Sequence, residues 1–317
     1  MRHIFIINPR AGKRDQTSRI YEMAEGLRTR HGLDCACMLT ERPGGAEDMA
    51  RKIALTGEAV RIYACGGDGT ASETANGIAG FANAAMTCVP IGTGNDLLKN
   101  FGPEMMGKFS DAENLWNGDA FPLDLIDCNG RLGLTIACSG IDARVAESVH
   151  DFSSVPLIRG RGTYLASVAV NFLFRGIGQK WTIWLDEEKL EGEFALAAMC
   201  NGRYYGGGST PVPEARMDDG ILDTMVVKSV SRTAFARLFG AYSRGEAARF
   251  PEVAKVYRAK VVRIQSAEEI VTCVDGECRR SREVVMRLSE KRVNFFGPKG
   301  CSPNATCKEG AVSPLSP

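Results

Sequence analysis

The sequence predicts an α/β domain followed by an all-β domain. Its 317 residues leave room for about two domains of roughly 100–200 residues each. Through the first third of the chain, short apolar runs alternate with segments of helical spacing, which is the pattern of βα units around a mostly parallel sheet. From Phe121 onward, strand-like runs follow one another, as in an antiparallel sandwich or barrel. The domain boundary is therefore expected near residue 121.

The predicted first domain covers residues 1–121. Its strands are short apolar runs, such as His3–Ile7, of the kind that a parallel sheet buries on both faces. Apolar residues then recur at helical spacing between Ile20 and Leu27, which predicts a helix after this strand. The remaining predicted elements are strands over 33–39, 60–65 and 87–91 and helices over 46–55, 70–78 and 95–101.

The predicted second domain covers residues 122–288. The apolar run Val293–Phe296 then predicts a return to the first domain over 289–298. Residues 299–317 are rich in Pro, Gly and Ser and predict a disordered tail. Within the second domain, strands are predicted over 124–128, 132–138, 180–185, 193–201, 222–228, 260–265, 269–274 and 284–288, and helices over 140–149, 164–174 and 231–243.

Composition and charge exclude several classes of protein. A net charge of +1 gives no basic field for nucleic acid. The longest apolar stretch, Tyr164–Phe174, is far shorter than the roughly 20 residues that a transmembrane helix needs. The 11 cysteines include no C-x-x-C pair, which argues against a structural zinc site. Reduced thiols in a cytoplasmic protein are therefore expected.

Three turns rich in Gly, Asn or Pro follow predicted strands of the first domain. They are I-N-P-R-A-G at Ile7–Gly12, G-G-D-G-T at Gly66–Thr70 and G-T-G-N-D at Gly92–Asp96. Ligands of α/β sheets bind at the carboxyl ends of the strands, where glycines let backbone N–H groups approach phosphate oxygens. The G-x-x-x-x-G-K-[ST] loop is absent, and no G-x-G-x-x-G follows the first strand. The turns therefore predict a phosphate site outside the common nucleotide-binding motifs.

Two aspartates lie within these turns. A carboxylate next to a phosphate requires a cation between them, and Mg²⁺ usually binds through one or two carboxylates plus substrate phosphates. Asp68 and Asp96 therefore predict a Mg²⁺–nucleotide site for phosphoryl transfer. The alternative for Asp96 is a helix N-cap, and the alternative for Asp68 is a purely structural turn.

The three turns, in this order and spacing, resemble the catalytic domain of the diacylglycerol kinase family. The chain is most similar to the soluble bacterial lipid kinases, which are relatives of sphingosine and ceramide kinases. The G-G-D-G-T turn alone is shared with NAD kinases. The resemblance extends over about residues 1–298. Further similar stretches are Cys138–Ala143, Asn201–Gly208, Pro213–Gly220 and Val274–Glu277.

The resemblance implies an NAD-kinase-like α/β nucleotide-binding domain and a lipid-binding β-sandwich, with the active site in the cleft between them. It also implies ATP as the phosphate donor. For Thr40, at the end of a predicted strand, an ordinary polar strand terminus is the alternative. The residues that the resemblance places around ATP are Asn8, Thr40, Gly66, Gly67, Asp68, Gly69, Thr70, Thr93 and Asn95.

The resemblance also assigns catalytic roles. Glu277 is expected to be the general base that takes the proton of the lipid hydroxyl, with Asp275 supporting it or binding metal. Asp68 and Asp96 complete the expected catalytic set. The alternative for the Asp275–Glu277 segment is an ordinary D-G hairpin turn.

A second, structural Mg²⁺ is implied in the Asp-Gly stretch. Its expected ligands are the carboxylate of Asp219 and the backbone carbonyls of Arg216 and Ile221. Because Asp218 is adjacent, either Asp218 or Asp219 could supply the carboxylate ligand. A plain turn that leads into a strand is the alternative.

The resulting expectation is a lipid kinase that transfers the γ-phosphate of ATP to the hydroxyl of diacylglycerol or a related lipid. Its expected partner is a lipid at the membrane surface, contacted transiently. The sandwich domain of the family often forms homodimers, and the oligomeric state of this chain stays open. Tyr164–Phe174 is a candidate membrane-facing surface, with a core helix as the alternative. An NAD kinase is one rival, although the expected N-E dipeptide is absent. A non-catalytic regulator is another, although Asp68 and Glu277 are both present.

Overall fold

The computed structural model describes residues 1–153 and 176–303. Its first sheet has six strands in the order β2-β1-β3-β4-β15-β5. Neighbouring strands are parallel except β15 and β5, which are antiparallel. The strands are β1 Arg2–Ile7, β2 Asp34–Leu39, β3 Val60–Gly66, β4 Ala84–Pro90, β5 Ala120–Leu123 and, from the far end of the chain, β15 Val293–Phe296.

Five helices accompany this sheet: α1 Thr17–His31, α2 Gly45–Ala54, α3 Asp68–Ile78, α4 Asp96–Lys99 and α5 Pro103–Met106. The first helix buries Ile20, Ala24 and Leu27, which recur at the spacing of one helical face. The strands fill the centre of the core, where the rings of Phe5 and Tyr63 stack with centroids 4.2 Å apart. Every βα turn of the parallel strands therefore opens at the same edge of the sheet.

The second part of the chain forms one antiparallel sheet of nine strands that makes a β-sandwich. The long strands β10 and β13 each pair with β9 over one half of their length and with β8 over the other half. Both strands therefore contribute to the two layers of the sandwich. The strands are β6 Ile126–Cys128, β7 Arg131–Gly133, β8 Ile136–Gly140, β9 Gln179–Leu185, β10 Glu188–Cys200, β11 Asp223–Lys228, β12 Ala254–Arg258, β13 Val261–Val274 and β14 Glu277–Leu288; the helices are α6 Ile141–Ser153 and α7 Arg232–Ser243.

The predicted α/β plus β-sandwich fold class is confirmed, and two local predictions differ from the structure. The predicted strand over 132–138 is divided into β7 and β8, because the carboxylate of Asp275 takes the backbone N–H groups of residues 134–136 that would otherwise extend the ladder. The predicted strands over 260–265 and 269–274 form the single strand β13, with an irregular register between Gln265 and Ile270.

Several predictions fall wholly or partly outside the described residues. The apolar stretch Tyr164–Phe174 lies outside them, as does the tail from residue 304. At the start of the segment predicted to be disordered, Cys301 packs against the core of the first sheet and the Pro303 carbonyl accepts a hydrogen bond from Arg203. Within the described ranges, no helix is long and apolar enough to cross a membrane.

Candidate active site

Two Gly-rich turns touch each other at the carboxyl edge of the first sheet. The Gly92 N–H donates to the Gly66 carbonyl at 3.0 Å. A Cβ atom on Gly92 would lie 2.5 Å from the Cα of Gly67, and one on Gly66 would lie 2.2 Å from the Thr70 hydroxyl oxygen. Gly92 is therefore required by the contact between the turns, and Gly66 by the close approach of the Thr70 side chain within its own turn.

The turns after β1 and β2 lie beside them. The Asn8 side-chain amide donates to the Thr70 hydroxyl at 3.3 Å, and the Asn8 backbone N–H donates to the Cys65 carbonyl. The Thr40 N–H donates to the Ile7 carbonyl at the end of β1. Gly69 and Thr93 are exposed on the same rim. The structure thus brings the residues predicted to contact ATP to one sheet edge.

Asp68 has one bound and one open carboxylate oxygen. Its Oδ1 accepts the N–H of Asp96 at 2.6 Å and the N–H of Leu97 at 3.5 Å. Its Oδ2 has no hydrogen-bond partner in the part of the chain that the structure describes, and a Cβ on Gly94 would lie 2.3 Å from it. Burial, and then the neighbouring charge of Asp96, raise the pKa of Asp68 to about 6.

Asp96 links the two domains. It is the first residue of α4, and Asn95, at φ 55°, occupies the cap position before it. One oxygen of Asp96 pairs with Lys99, and the other accepts the N–H of Gly207 at 2.7 Å from the second domain. The carboxylate therefore does not act as an N-cap. Lys99 was not singled out from the sequence, where only its spacing of three residues from Asp96 could have indicated the pair.

Asp275 organises the turn that carries it. Asp275 and Gly276 both have positive φ, at 45° and 98°, as a two-residue type I′ hairpin between β13 and β14 requires. The Asp275 carboxylate accepts hydrogen bonds from the N–H groups of Leu134, Thr135 and Ile136 and from the Thr135 hydroxyl, at 2.5–3.2 Å. Both oxygens are therefore committed to the link between β7 and β8.

Glu277 begins β14 on the far side of this turn. Its Oε1 accepts a hydrogen bond from Arg131 Nη2 at 2.7 Å, and Arg131 Nη1 donates to Glu47 at 2.5 Å. The Glu277 side chain is 44% exposed. The structure therefore places Glu277 directly after the Asp275–Gly276 turn, and its carboxylate pairs with Arg131.

A cavity of about 310 Å³ lies between the domains. Its polar end is formed by Asp68, Gly94 and Asp96 from the first domain and by Thr135 and Asp275 from the second. Glu277 is not among the described residues that line it. The remaining wall is apolar and is made by Ile136, Cys138, Ile141, Val145, Ala146, Phe235 and Phe239.

A hydrogen-bonded cluster lies in the apolar wall. The hydroxyl groups of Tyr205 and Tyr242 both donate to Asp142 Oδ2, and the two hydroxyl oxygens are 2.6 Å apart. Burial raises the pKa of Asp142, and the tyrosine hydrogen bonds oppose that rise. Sequence reasoning missed this cluster because Tyr242 comes from α7, 100 residues after Asp142.

The predicted structural-metal loop is held by its own hydrogen bonds. Asp219 Oδ1 accepts the N–H of Ile221 at 3.1 Å, and Arg216 lies 3.7 Å from Asp218. The buried Asp124, which the sequence did not single out, accepts the N–H of Gly220 at 2.7 Å. Over residues 1–153 and 176–303, no three His, Cys, Asp or Glu side chains form a group that could hold a metal. Both predicted Mg²⁺ sites remain predictions.

Two family models match successive parts of the chain. Residues 2–128 match the diacylglycerol kinase catalytic domain. Residues 135–296 match the YegS C-terminal NAD kinase beta sandwich-like domain. These two matches together cover both sides of the interdomain cavity.

Individual relatives cover most of the chain. A "Probable lipid kinase YegS-like" from Pseudomonas aeruginosa is 28% identical over 274 residues, which is 85% of this chain and 86% of the relative. A "Diacylglycerol kinase" from Bacillus subtilis is 27% identical over 281 residues, covering 86% and 88%. The solved structure of a diacylglycerol kinase from Bacillus anthracis superposes with a TM-score of 0.68 at 22% identity, covering 93% of this chain and 96% of that one.

The fold, the meeting of Gly-rich turns and carboxylates at one cavity, and the two domain matches agree with one another. The chain therefore belongs to the lipid kinase family that joins a diacylglycerol kinase catalytic domain to a YegS-type β-sandwich domain.

Proposed function

We propose that this protein transfers the γ-phosphate of ATP to the hydroxyl group of diacylglycerol or a related lipid. One observation carries the proposal. One interdomain cavity combines carboxylates and a Gly-rich turn at one end with an apolar wall at the other. A lipid acceptor needs that combination, because its reacting hydroxyl is polar and its chains are not.

The nucleotide is proposed to bind along the rim formed by the turns after β1, β2, β3 and β4. Exposed backbone N–H groups near Gly67 and Gly69, at the start of α3, favour phosphate oxygens. Asn8 and Thr40 extend the rim toward the neighbouring strands. This arrangement directs the terminal phosphate toward Asp68 and the cavity.

The residues present fit a Mg²⁺ ion bound with the nucleotide. Asp68 Oδ2 is open toward the cavity, and a carboxylate oxygen is a ligand that Mg²⁺ prefers. Asp96 lies beside it, already held by Lys99 and Gly207. When bound, Mg²⁺ would neutralise charge on the β- and γ-phosphate oxygens. The loop of Arg216, Asp219 and Ile221 is the proposed structural Mg²⁺ site, because its carbonyls and carboxylate are oxygen donors of the kind that Mg²⁺ prefers.

In the proposed reaction, the lipid hydroxyl oxygen attacks the γ-phosphorus and the bond from that phosphorus to the ADP oxygen breaks. The hydroxyl proton passes to a carboxylate, for which we propose Glu277. The rigid I′ turn fixes the Glu277 backbone directly after Gly276, which lines the polar end of the cavity. Asp275 supports this turn through its contacts with residues 134–136.

The proposed setting is the cytoplasmic face of a membrane. Because the acceptor is a membrane lipid, the enzyme must contact the bilayer surface transiently to load its cavity. A homodimer formed through the sandwich domain is proposed from the family resemblance. Labelled-lipid transfer from vesicles, with the bound fraction measured by flotation, tests the membrane contact, and equilibrium sedimentation tests the dimer.

The experiment that tests the function is a transfer assay with γ-labelled ATP and Mg²⁺. Acceptors are diacylglycerol, other hydroxyl lipids in mixed micelles, and NAD as a soluble competitor. We expect a labelled lipid product that is lost in Asp68→Asn and Glu277→Gln but retained in Glu283→Gln, an exposed position on the same strand β14. Labelled NADP would instead identify an NAD kinase, and ATP binding without any product would identify a regulator.

A further inference from the structure

Arg131 joins the two domains through its guanidinium group. It is the first residue of β7, and its side chain is only 11% exposed. Nη1 donates to Glu47 on α2 at 2.5 Å, and Nη2 donates to Glu277 on β14 at 2.7 Å. One planar group thus holds a carboxylate from each domain.

This contact differs from the many exposed ion pairs of the chain. Exposed pairs are worth about 0–1 kcal/mol because water solvates both partners. The Arg131 guanidinium is nearly buried, and its Nε has no hydrogen-bond partner over residues 1–153 and 176–303. A buried guanidinium needs its carboxylates, and its fixed fork sets the position of both.

The Glu277 carboxylate depends on Arg131 for its position. The hairpin fixes the Glu277 backbone, but three side-chain torsions leave the carboxylate free to move. Among the residues that the structure describes, Arg131 is the only hydrogen-bond or ion-pair partner of this carboxylate. Removal of the guanidinium would leave the side chain without a defined direction.

Glu47 connects this contact to the Gly-rich turn that contains Asp68. The N–H groups of Gly44 and Ala46, at the start of α2, donate to the Glu73 carboxylate at 2.9 and 3.0 Å. Glu73 lies on α3, the helix that begins at Asp68. A short path of direct contacts therefore runs from the Asp68 turn through α3, α2 and Glu47 to Arg131.

We infer that Arg131 is a positioning residue that sets the direction of the Glu277 carboxylate, and that Glu47 anchors Arg131 to the nucleotide-binding domain. The inference rests on the proposed function, in which Glu277 takes the proton. Arg131 touches neither the nucleotide rim nor the lined cavity, so its effect passes through Glu277.

The test is a kinetic comparison of the full chain with Mg–ATP and the lipid that the wild type phosphorylates. Arg131→Met is expected to lower kcat by about 100-fold while KM for ATP changes by less than about 3-fold, since a misplaced group costs turnover more than binding. Arg131→Lys is expected to recover part of kcat, because an ammonium can pair with one carboxylate but cannot bridge two. Glu47→Gln is expected to lower kcat by about 3- to 10-fold.

Arg249→Met serves as the matched control, because Arg249 is an exposed arginine paired with Glu246, and its kinetics are expected to equal those of the wild type. A wild-type kcat in Arg131→Met, or a change confined to KM, overturns the inference while the proposed function stands. If thermal melting shows that Arg131→Met is unfolded, the other two variants decide. A kcat equal to that of the wild type in both Arg131→Lys and Glu47→Gln then overturns the inference. A wild type that labels no lipid overturns the proposed function, and the role of Arg131 with it.

Discussion

The backbone nitrogen of Asp96 lies 2.6 Å from Oδ1 of Asp68, so the Gly-rich turn after β4 is tied to the one after β3. This bond uses one oxygen of Asp68 and leaves the other in the interdomain cavity. Because Asp96 lies nearby, the two negative charges disfavour each other. The polar end of the cavity thus holds two neighbouring carboxylates, and burial together with the charge of Asp96 raises the pKa of Asp68.

Asp68→Asn is expected to stabilise the ligand-free protein at neutral and alkaline pH. The pKa of Asp68 is about 6 in the folded protein, above its ordinary value of 3.8. The folded state therefore holds the proton more tightly, and stability falls as pH rises from about 4 to about 6. We expect Asp68→Asn to raise Tm by about 2–4 °C at about pH 8 and to match the wild type near pH 4.

Thermal melts across this pH range provide the measurement. Mg²⁺ with ATP should reverse the order by stabilising the wild type and not the variant. An equal melting difference at all pH values would show that ionisation of Asp68 is not the cause.

Gly92→Ala is expected to separate the two Gly-rich turns. The new Cβ would lie 2.5 Å from the Cα of Gly67, and a backbone atom cannot rotate away as a side chain can. We expect a loss of stability of about 1–3 kcal/mol and a rise in KM for ATP of at least about 10-fold. Urea unfolding and initial rates measure the two effects. Gly107→Ala, where a Cβ would meet no atom within 4 Å, is the control. If Gly92→Ala changes stability and KM as little as Gly107→Ala does, the close contact between the two turns is contradicted.

Asp275→Asn is expected to destabilise the fold even though it conserves size. An amide presents only one oxygen, whereas the carboxylate accepts three backbone N–H groups and one hydroxyl on two oxygens. We expect a loss of about 2–4 kcal/mol in the free energy of unfolding, measured by urea titration. Asp119→Asn, at an exposed position, should change stability by less than about 0.5 kcal/mol. If the urea midpoint of Asp275→Asn equals that of the wild type, these hydrogen bonds contribute little to the free energy of unfolding.

Ala146→Phe is expected to fill the apolar part of the cavity. Ala146 lies on α6 in the wall opposite the carboxylates. We expect kcat/KM for the lipid to fall by at least about 10-fold, while the Kd for ATP stays within about 3-fold of the wild type. Rates at varied lipid mole fraction and equilibrium ATP binding separate the two. Phe239→Ala, which enlarges the same wall, should instead shift preference toward bulkier chains; unchanged lipid kinetics in both variants would place the lipid elsewhere.

The fold class could be predicted from the sequence because the local strand and helix patterns are consistent with the observed two-domain fold. Gly66, Gly67 and Gly92 could be found from the sequence since glycine density after a strand is itself the signal. Arg131 and Tyr242 could not be identified from the sequence, because residues that they contact lie 146 and 100 positions away in the chain. The role of Asp275 was only partly accessible, since the D-G pair indicates a turn but not the N–H groups that its carboxylate binds.

The place of β15 in the first sheet has a consequence for biosynthesis. This strand lies between β4 and β5, and its Phe295 ring stacks on Phe101 with centroids 5.0 Å apart. When the ribosome has finished the α/β segment, one edge of β4 still has no neighbour and the Phe101 ring lacks its stacking partner Phe295. The nucleotide-binding half must therefore wait for nearly the whole polypeptide before it closes, and a nascent chain that stops within the sandwich exposes an apolar strand edge to chaperones or to other chains.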